Sequence, residues 1–238
     1  MSWDRNSIKA RHIGAAFLLL SASAAAADIL VIRSIGPSAK AYPPGKKLPE
    51  AGKVTLKASD QLVLIDSRGT RTLRGPGSFA LNAAPQRAAG GTGAPAPRAR
   101  IGATRGPQQP TYWDIDVAKS ATFCVADRND LLLWREDSSG PVILTVTRAR
   151  DRQVRKVAWQ AGAATLKWPA QLPIAEGAEF RLAWDGAPAP TVLRFRILPK
   201  KPLELDAVAA TLLARGCTAQ LDRLIQREQK NETGGSGD

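Results

Sequence analysis

Between Asp28 and Leu198 short apolar runs alternate with clusters of turn residues, and this pattern predicts strands. Ile29–Ile32 opens the series and Pro43-Pro44-Gly45 breaks it. Val54–Leu56, Leu62–Ile65, Thr70–Leu73 and Ser78–Leu81 follow, separated by Ala58-Ser59-Asp60, Ser67-Arg68-Gly69 and Arg74-Gly75-Pro76-Gly77. Connections this short suit a small antiparallel meander, because parallel strands need longer crossovers. From Thr111 to Pro199 eight further runs read as strands: Tyr112–Val117, Thr122–Ala126, Leu131–Arg135, Val142–Arg148, Val154–Trp159, Ala163–Trp168, Glu179–Trp184 and Thr191–Leu198. In the last, Leu193, Phe195 and Ile197 alternate with Val192, Arg194 and Arg196, which implies one buried and one wet face. After Pro202 the period changes. Leu205, Val208, Ala209, Leu212 and Leu213 fall at helical spacing, Gly216 marks a stop or kink, and Leu221, Leu224 and Ile225 carry the stripe onward to about Lys230.

The expected fold is therefore mainly β. A small N-terminal antiparallel unit (28–83) precedes a Trp-rich β-sandwich (111–200), which is closed by a C-terminal helix or helical hairpin (201–230). Five of the six tryptophans lie in the second unit, at Trp113, Trp134, Trp159, Trp168 and Trp184, and are expected to fill the space between its sheets. Residues 84–110 hold five glycines, five prolines and four arginines (Arg87, Arg98, Arg100, Arg105) but no acidic residue. They read as a linker, with a basic arm as the alternative. The tail 231–238 reads as disordered.

The first 27 residues have the form of a secretory signal. Arg5, Lys9 and Arg11 precede an apolar core, and Ala25-Ala26-Ala27 fits a cleavage site before Asp28. The apolar run is too short to span a bilayer, so no stable membrane span is expected after cleavage. Cleavage takes 3 of the 34 basic residues and 1 of the 21 acidic ones, changing the net charge from +13 to +11. It also takes His12, the only histidine, which excludes Ser-His and Cys-His catalysis and imidazole zinc sites from the processed chain. Cys124 and Cys217 remain. An even count in an exported chain favours a disulfide, with two buried thiols as the alternative.

Few constellations carry chemistry. Asp114 and Asp116 share a strand face and could form a carboxylate pair, but a solvated face is the expectation. Asp127–Asp130 lacks the glycine and distal glutamate of a calcium loop, and the Arg74–Gly77 turn lacks the ending of a phosphate loop. No cofactor, metal or enzymatic activity is expected. The basic residues are scattered and match no nucleic-acid motif, so nucleic acid is not an expected partner. The densest cluster is the hairpin Arg148, Arg150, Arg152, Arg155 and Lys156, which is either a solvated tip or a contact for an anionic envelope polymer.

The segment from Ile29 to Leu81 resembles the FecR-type periplasmic domain of Gram-negative bacteria, through Leu48, the run VTLKASD (Val54–Asp60) and LVLIDSRGTRTLRGPGSF (Leu62–Phe79). The resemblance covers about a quarter of the chain. It implies a periplasmic β-domain engaged in protein contacts or sensing. The cytoplasmic anti-sigma segment and membrane helix of such regulators have no counterpart here, so signalling to a sigma factor is not implied. The Trp-rich part resembles only a generic immunoglobulin-like sandwich. The functional expectation is an exported, non-enzymatic envelope protein that binds a protein partner or senses. The alternative is recognition of an anionic polysaccharide through the basic hairpin and exposed tryptophan.

Overall fold

The computed structural model describes residues 28–83 and 110–234. The expected signal segment, nearly all of the linker and residues 235–238 lie outside them. The described chain is mainly β, with fourteen strands in four sheets and two C-terminal helices.

Six strands form the first unit: β1 (Asp28–Ile35), β2 (Lys47–Pro49), β3 (Lys53–Leu56), β4 (Gln61–Asp66), β5 (Gly69–Arg74) and β6 (Gly77–Ala80). Their pairing is antiparallel throughout, but it is not the simple meander expected. The order β2-β1-β4-β5 makes one sheet, while β3 pairs with β6 as a separate ribbon. Strands β1 and β4 carry unbroken apolar runs because both faces of this sheet are covered. Ile29, Val31, Leu62 and Leu64 pack with Val54, Leu56 and Leu81 on one face. Leu30, Ile32, Val63 and Ile65 lie on the other. The turn into β6 brings Gly75 against the backbone of Lys57. A Cβ there would stand 2.0 Å from the Lys57 carbonyl oxygen, so no larger residue fits.

Asp66 closes the β4–β5 turn. It accepts hydrogen bonds from the Arg68 N–H (2.8 Å) and the guanidinium of Arg71 (3.0 Å), and is 3% exposed. Burial alone would raise its pKa, but the bonds from Arg68 and the charges of Arg71 and Arg68 outweigh burial and lower it. A depressed folded-state pKa gives stability that is present above the ordinary carboxylate range and lost as pH falls through the folded value. Acidification below about pH 4 is therefore expected to destabilise the protein. Asp66→Asn should be less stable at pH 7 and show a shallower acid dependence. Denaturant melts at pH 7 and pH 3 check this, and equal slopes for the two proteins would contradict it.

The sandwich consists of β7 (Ile115–Asp116), β8 (Ala121–Val125), β9 (Leu132–Trp134), β10 (Val142–Arg148), β11 (Val154–Trp159), β12 (Thr165–Lys167), β13 (Glu179–Ala183) and β14 (Thr191–Ile197). One sheet runs β11-β10-β13-β14-β8, the other β12-β9-β7. Two pairings, β14 with β8 and β7 with β9, are parallel, so the sandwich is not wholly antiparallel. Phe123, Leu144, Val146, Phe180, Leu182, Leu193 and Phe195 face Ile115, Leu133, Leu172 and Ile174 across the core. Trp168 meets Phe180 and Phe195 edge-on at 4.9 and 5.2 Å, and its indole N–H donates to the Leu172 carbonyl at 2.7 Å. Trp159 is buried beside it and donates to the Ala163 carbonyl.

The expectation that all five indoles fill this space is only partly met. Trp184 packs at the rim of the core, and Trp113 packs against the helical core instead. Trp134 points away, because alternation along β9 gives the inner face to Leu133.

Helix α1 (Leu205–Ala214) ends at Gly216, whose φ of +70° only glycine adopts at little cost, and α2 (Thr218–Gly234) follows. The helix bounds reach Gly234. Both helices lie against the second face of the first sheet as well as the sandwich. Val208, Ala209, Leu212, Leu221, Leu224 and Ile225 share one core with Leu30, Ile32, Val63, Ile65, Cys124 and Leu198. Cys124 and Cys217 form a disulfide, with Cα atoms 5.8 Å apart. No helix among the described residues is long and apolar enough to cross a membrane.

Candidate ligand groove along helix α2

A turn at the start of the sandwich begins the site. The Thr111 N–H donates to Asp114 Oδ2 at 2.7 Å, and the Asp114 N–H returns a bond to the Thr111 carbonyl. The chain then enters β7, whose Asp116 takes the Ala118 N–H on Oδ1 (3.1 Å). These carboxylates were expected on a solvated face. Instead Asp114 is 9% and Asp116 5% exposed, because α2 covers them.

Arg223 of α2 makes that cover. Its guanidinium donates to the Asp114 carbonyl at 2.9 Å and to Asp116 Oδ2 at 3.1 Å, and it stacks 5.4 Å from the Trp134 ring. Burial lowers the Arg223 pKa, while the charges of Asp116 and Asp114 oppose that shift. Lys119 reaches the same Asp116 oxygen at 3.2 Å with most of its side chain in solvent. The carboxylates are thus occupied as ligands of Arg223, Lys119 and backbone amides. Among the described residues no group of three or more histidine, cysteine or carboxylate side chains could hold a metal ion.

Above this clamp lies a groove of about 950 Å³, lined by Pro110, Thr111, Asp116, Ala118, Lys119, Trp134, Glu136, Arg223, Gln226, Arg227, Lys230 and Asn231. A recess of about 250 Å³ shares Asp116, Lys119, Arg223 and Gln226 with it and continues toward Ala219 and Asp222. On α2, Arg223, Gln226, Arg227 and Lys230 have the spacing i, i+3, i+4, i+7 and so form one stripe. The opposite stripe, Leu221, Leu224 and Ile225, is buried. Four basic side chains therefore line the groove against two acidic ones, beside a half-buried indole.

The basic hairpin is placed elsewhere. It joins β10 to β11, and β11 is the edge of the five-stranded sheet opposite β8, the strand that α2 contacts. Arg148 grips Asp151 with two guanidinium bonds (2.9 and 2.6 Å) and also bonds Gln153. The Arg148 guanidinium and the Gln153 N–H hold the Asp151 carboxyl down to about 2. Arg150, Arg152, Arg155 and Lys156 are exposed. Arg155 sits opposite Val146, an inward position at a sheet edge, where a charge discourages pairing with another strand. The structure thus leaves the hairpin cluster and the groove on separate edges of the sandwich.

Sequence reasoning missed the groove. Trp134 and Arg223 lie on distant elements, and only the polar stripe of α2 and the outward phase of Trp134 were visible beforehand. No protein-family model, no curated protein and no solved structure matches this chain.

Proposed function

We propose that this chain is an exported, non-enzymatic binding protein of the cell envelope, and that the α2 groove is its recognition site for an anionic partner. The observation that carries the reading is the grouping of Lys119, Arg223, Arg227 and Lys230 with a partly open Trp134 in one concave site of ligand size. The net charge of +11 from Asp28 onward (31 basic against 20 acidic residues) adds long-range attraction for the same class of partner. The resemblance of the first unit to FecR-type domains supports a sensing role. Helix α2 ties the groove to that unit through Asp222 to Arg33 (2.5 Å) and Gln229 to Thr72 (3.4 Å), so an occupant held by α2 acts on a helix that also holds the first sheet.

The test uses the oxidised chain from Asp28 onward with dextran sulfate as the anionic probe and dextran as the neutral one, read by tryptophan fluorescence. Dextran sulfate should shift the emission and dextran should not, and added salt should weaken the response. Arg227→Gln with Lys230→Gln should lower the affinity about tenfold, the effect of losing roughly 1.4 kcal/mol. The fourfold hairpin variant (Arg150, Arg152, Arg155 and Lys156 to Gln) should change it much less. A reversed ranking would move the site to the hairpin.

A further inference from the structure

We infer that the groove takes an acidic oligosaccharide, laid along α2 with a sugar ring against Trp134 and its charged groups on Arg227, Lys230 and Lys119. This rests on the reading of the groove as an anion site and narrows its ligand class.

Three observations carry it. First, few apolar side chains line it, and the rest of its apolar surface comes from the stems of polar ones. Apart from Trp134 only Pro110 and Ala118 are apolar, so there is no pocket to anchor the aliphatic or aromatic side chains through which peptides gain most affinity. Second, the lining offers hydroxyl-matching groups. Gln226 and Asn231 each provide an amide donor and acceptor between the cations, and Thr111 adds a hydroxyl. Third, there is one indole, where single-stranded nucleic acid is held by successive aromatic platforms. An indole beside amides and cations suits a ring with apolar C–H faces and a polar, charged rim.

Length supports an oligomer over a single sugar. The groove and its adjoining recess together follow α2 from Ala219 to Asn231, roughly 18 Å at 1.5 Å per residue. Arg223 anchors the floor and is not offered to the ligand, since its bonds go to Asp116 and the Asp114 carbonyl. The cations that face the groove with exposed side chains are Arg227 and Lys230 on the helix and, across from them, Lys119, which also reaches Asp116 at 3.2 Å.

Calorimetric titration of the oxidised chain tests this with tetragalacturonate and tetramannuronate, the methyl ester of each, a tetraglutamate peptide and dT4. At least one uronate should bind ten times more tightly than its own ester and than the peptide or dT4. Trp134→Ala should weaken that binding tenfold or more, while Trp134→Phe, which keeps a ring platform, should retain most of it. Arg227→Gln with Lys230→Gln, both on the exposed face of the helix, should remove the preference for the uronate over its ester. If peptide or dT4 binds as well as the uronates and Trp134→Ala has no effect, the saccharide inference is overturned while the anion-site reading stands. If nothing anionic binds, both fall.

Discussion

Reduction of the Cys124–Cys217 bond will lower the unfolding free energy by roughly 4–5 kcal/mol. The bond spans 93 residues of sequence, and in the chain-entropy account a loop of that size restricts the unfolded chain by about this amount. Both cysteines are buried, and the bond fastens the start of α2 to β8 on the outer side of the five-stranded sheet. Beside it, Gln220 locks the same junction, accepting from the Cys124 N–H at 2.6 Å and donating to its carbonyl at 3.1 Å. Urea melts of the oxidised protein and of Cys124→Ser with Cys217→Ser measure the difference. A loss below about 1 kcal/mol would mean that the Gln220 bonds and the apolar core already fix α2 without the covalent link.

Leu224→Ala should cost about 2–5 kcal/mol, the range for deleting a fully buried leucine side chain. Its larger consequence is on cooperativity. Leu224 lies in the one cluster that the first sheet, the helices and strand β8 share. A cavity there weakens contacts between the two β units more than those within either. The native protein should therefore unfold in a single transition by circular dichroism and tryptophan fluorescence, while the variant's fluorescence transition separates from its far-ultraviolet one. Trp159, Trp168 and Trp184 sit in or on the sandwich core, and Trp113 and Trp134 report on the helices that cover it, so none of the described tryptophans follows the first sheet by itself. Coincident transitions in the variant would show that the two units are joined mainly elsewhere.

All eight strands of the sandwich were legible because each pairs a short apolar run with its own turn signal, as in Thr191–Leu198. Phase was harder to use. In Leu131–Glu136, period two sets Leu131, Leu133 and Arg135 on one side and Leu132, Trp134 and Glu136 on the other. Size suggested that Trp134 was core filler, whereas alternation sends it out and draws Arg135 in. Arg135 is buried under the Trp159 ring with its guanidinium on the Gln160 and Ala163 carbonyls.

The runs Ile29–Ile32 and Leu62–Ile65 held a second unread signal. Four consecutive apolar residues on a central strand mean that both faces are covered, which required a layer over the first sheet. That layer is α1 and α2, contributed from the far end of the chain. The groove could not be read, because its clamp joins Asp116 to Arg223 across 107 residues, and no local rule links two such positions.

A timing constraint follows from that borrowed layer. Strands β1 and β4 are made well before Val208–Ile225, the residues that shield Leu30, Ile32, Val63 and Ile65. Until Val208 through Ile225 arrive, this sheet presents a bare oily surface to whatever surrounds it. A chain truncated near Pro202 should therefore accumulate as aggregates even with both β units present, because nothing then covers that face.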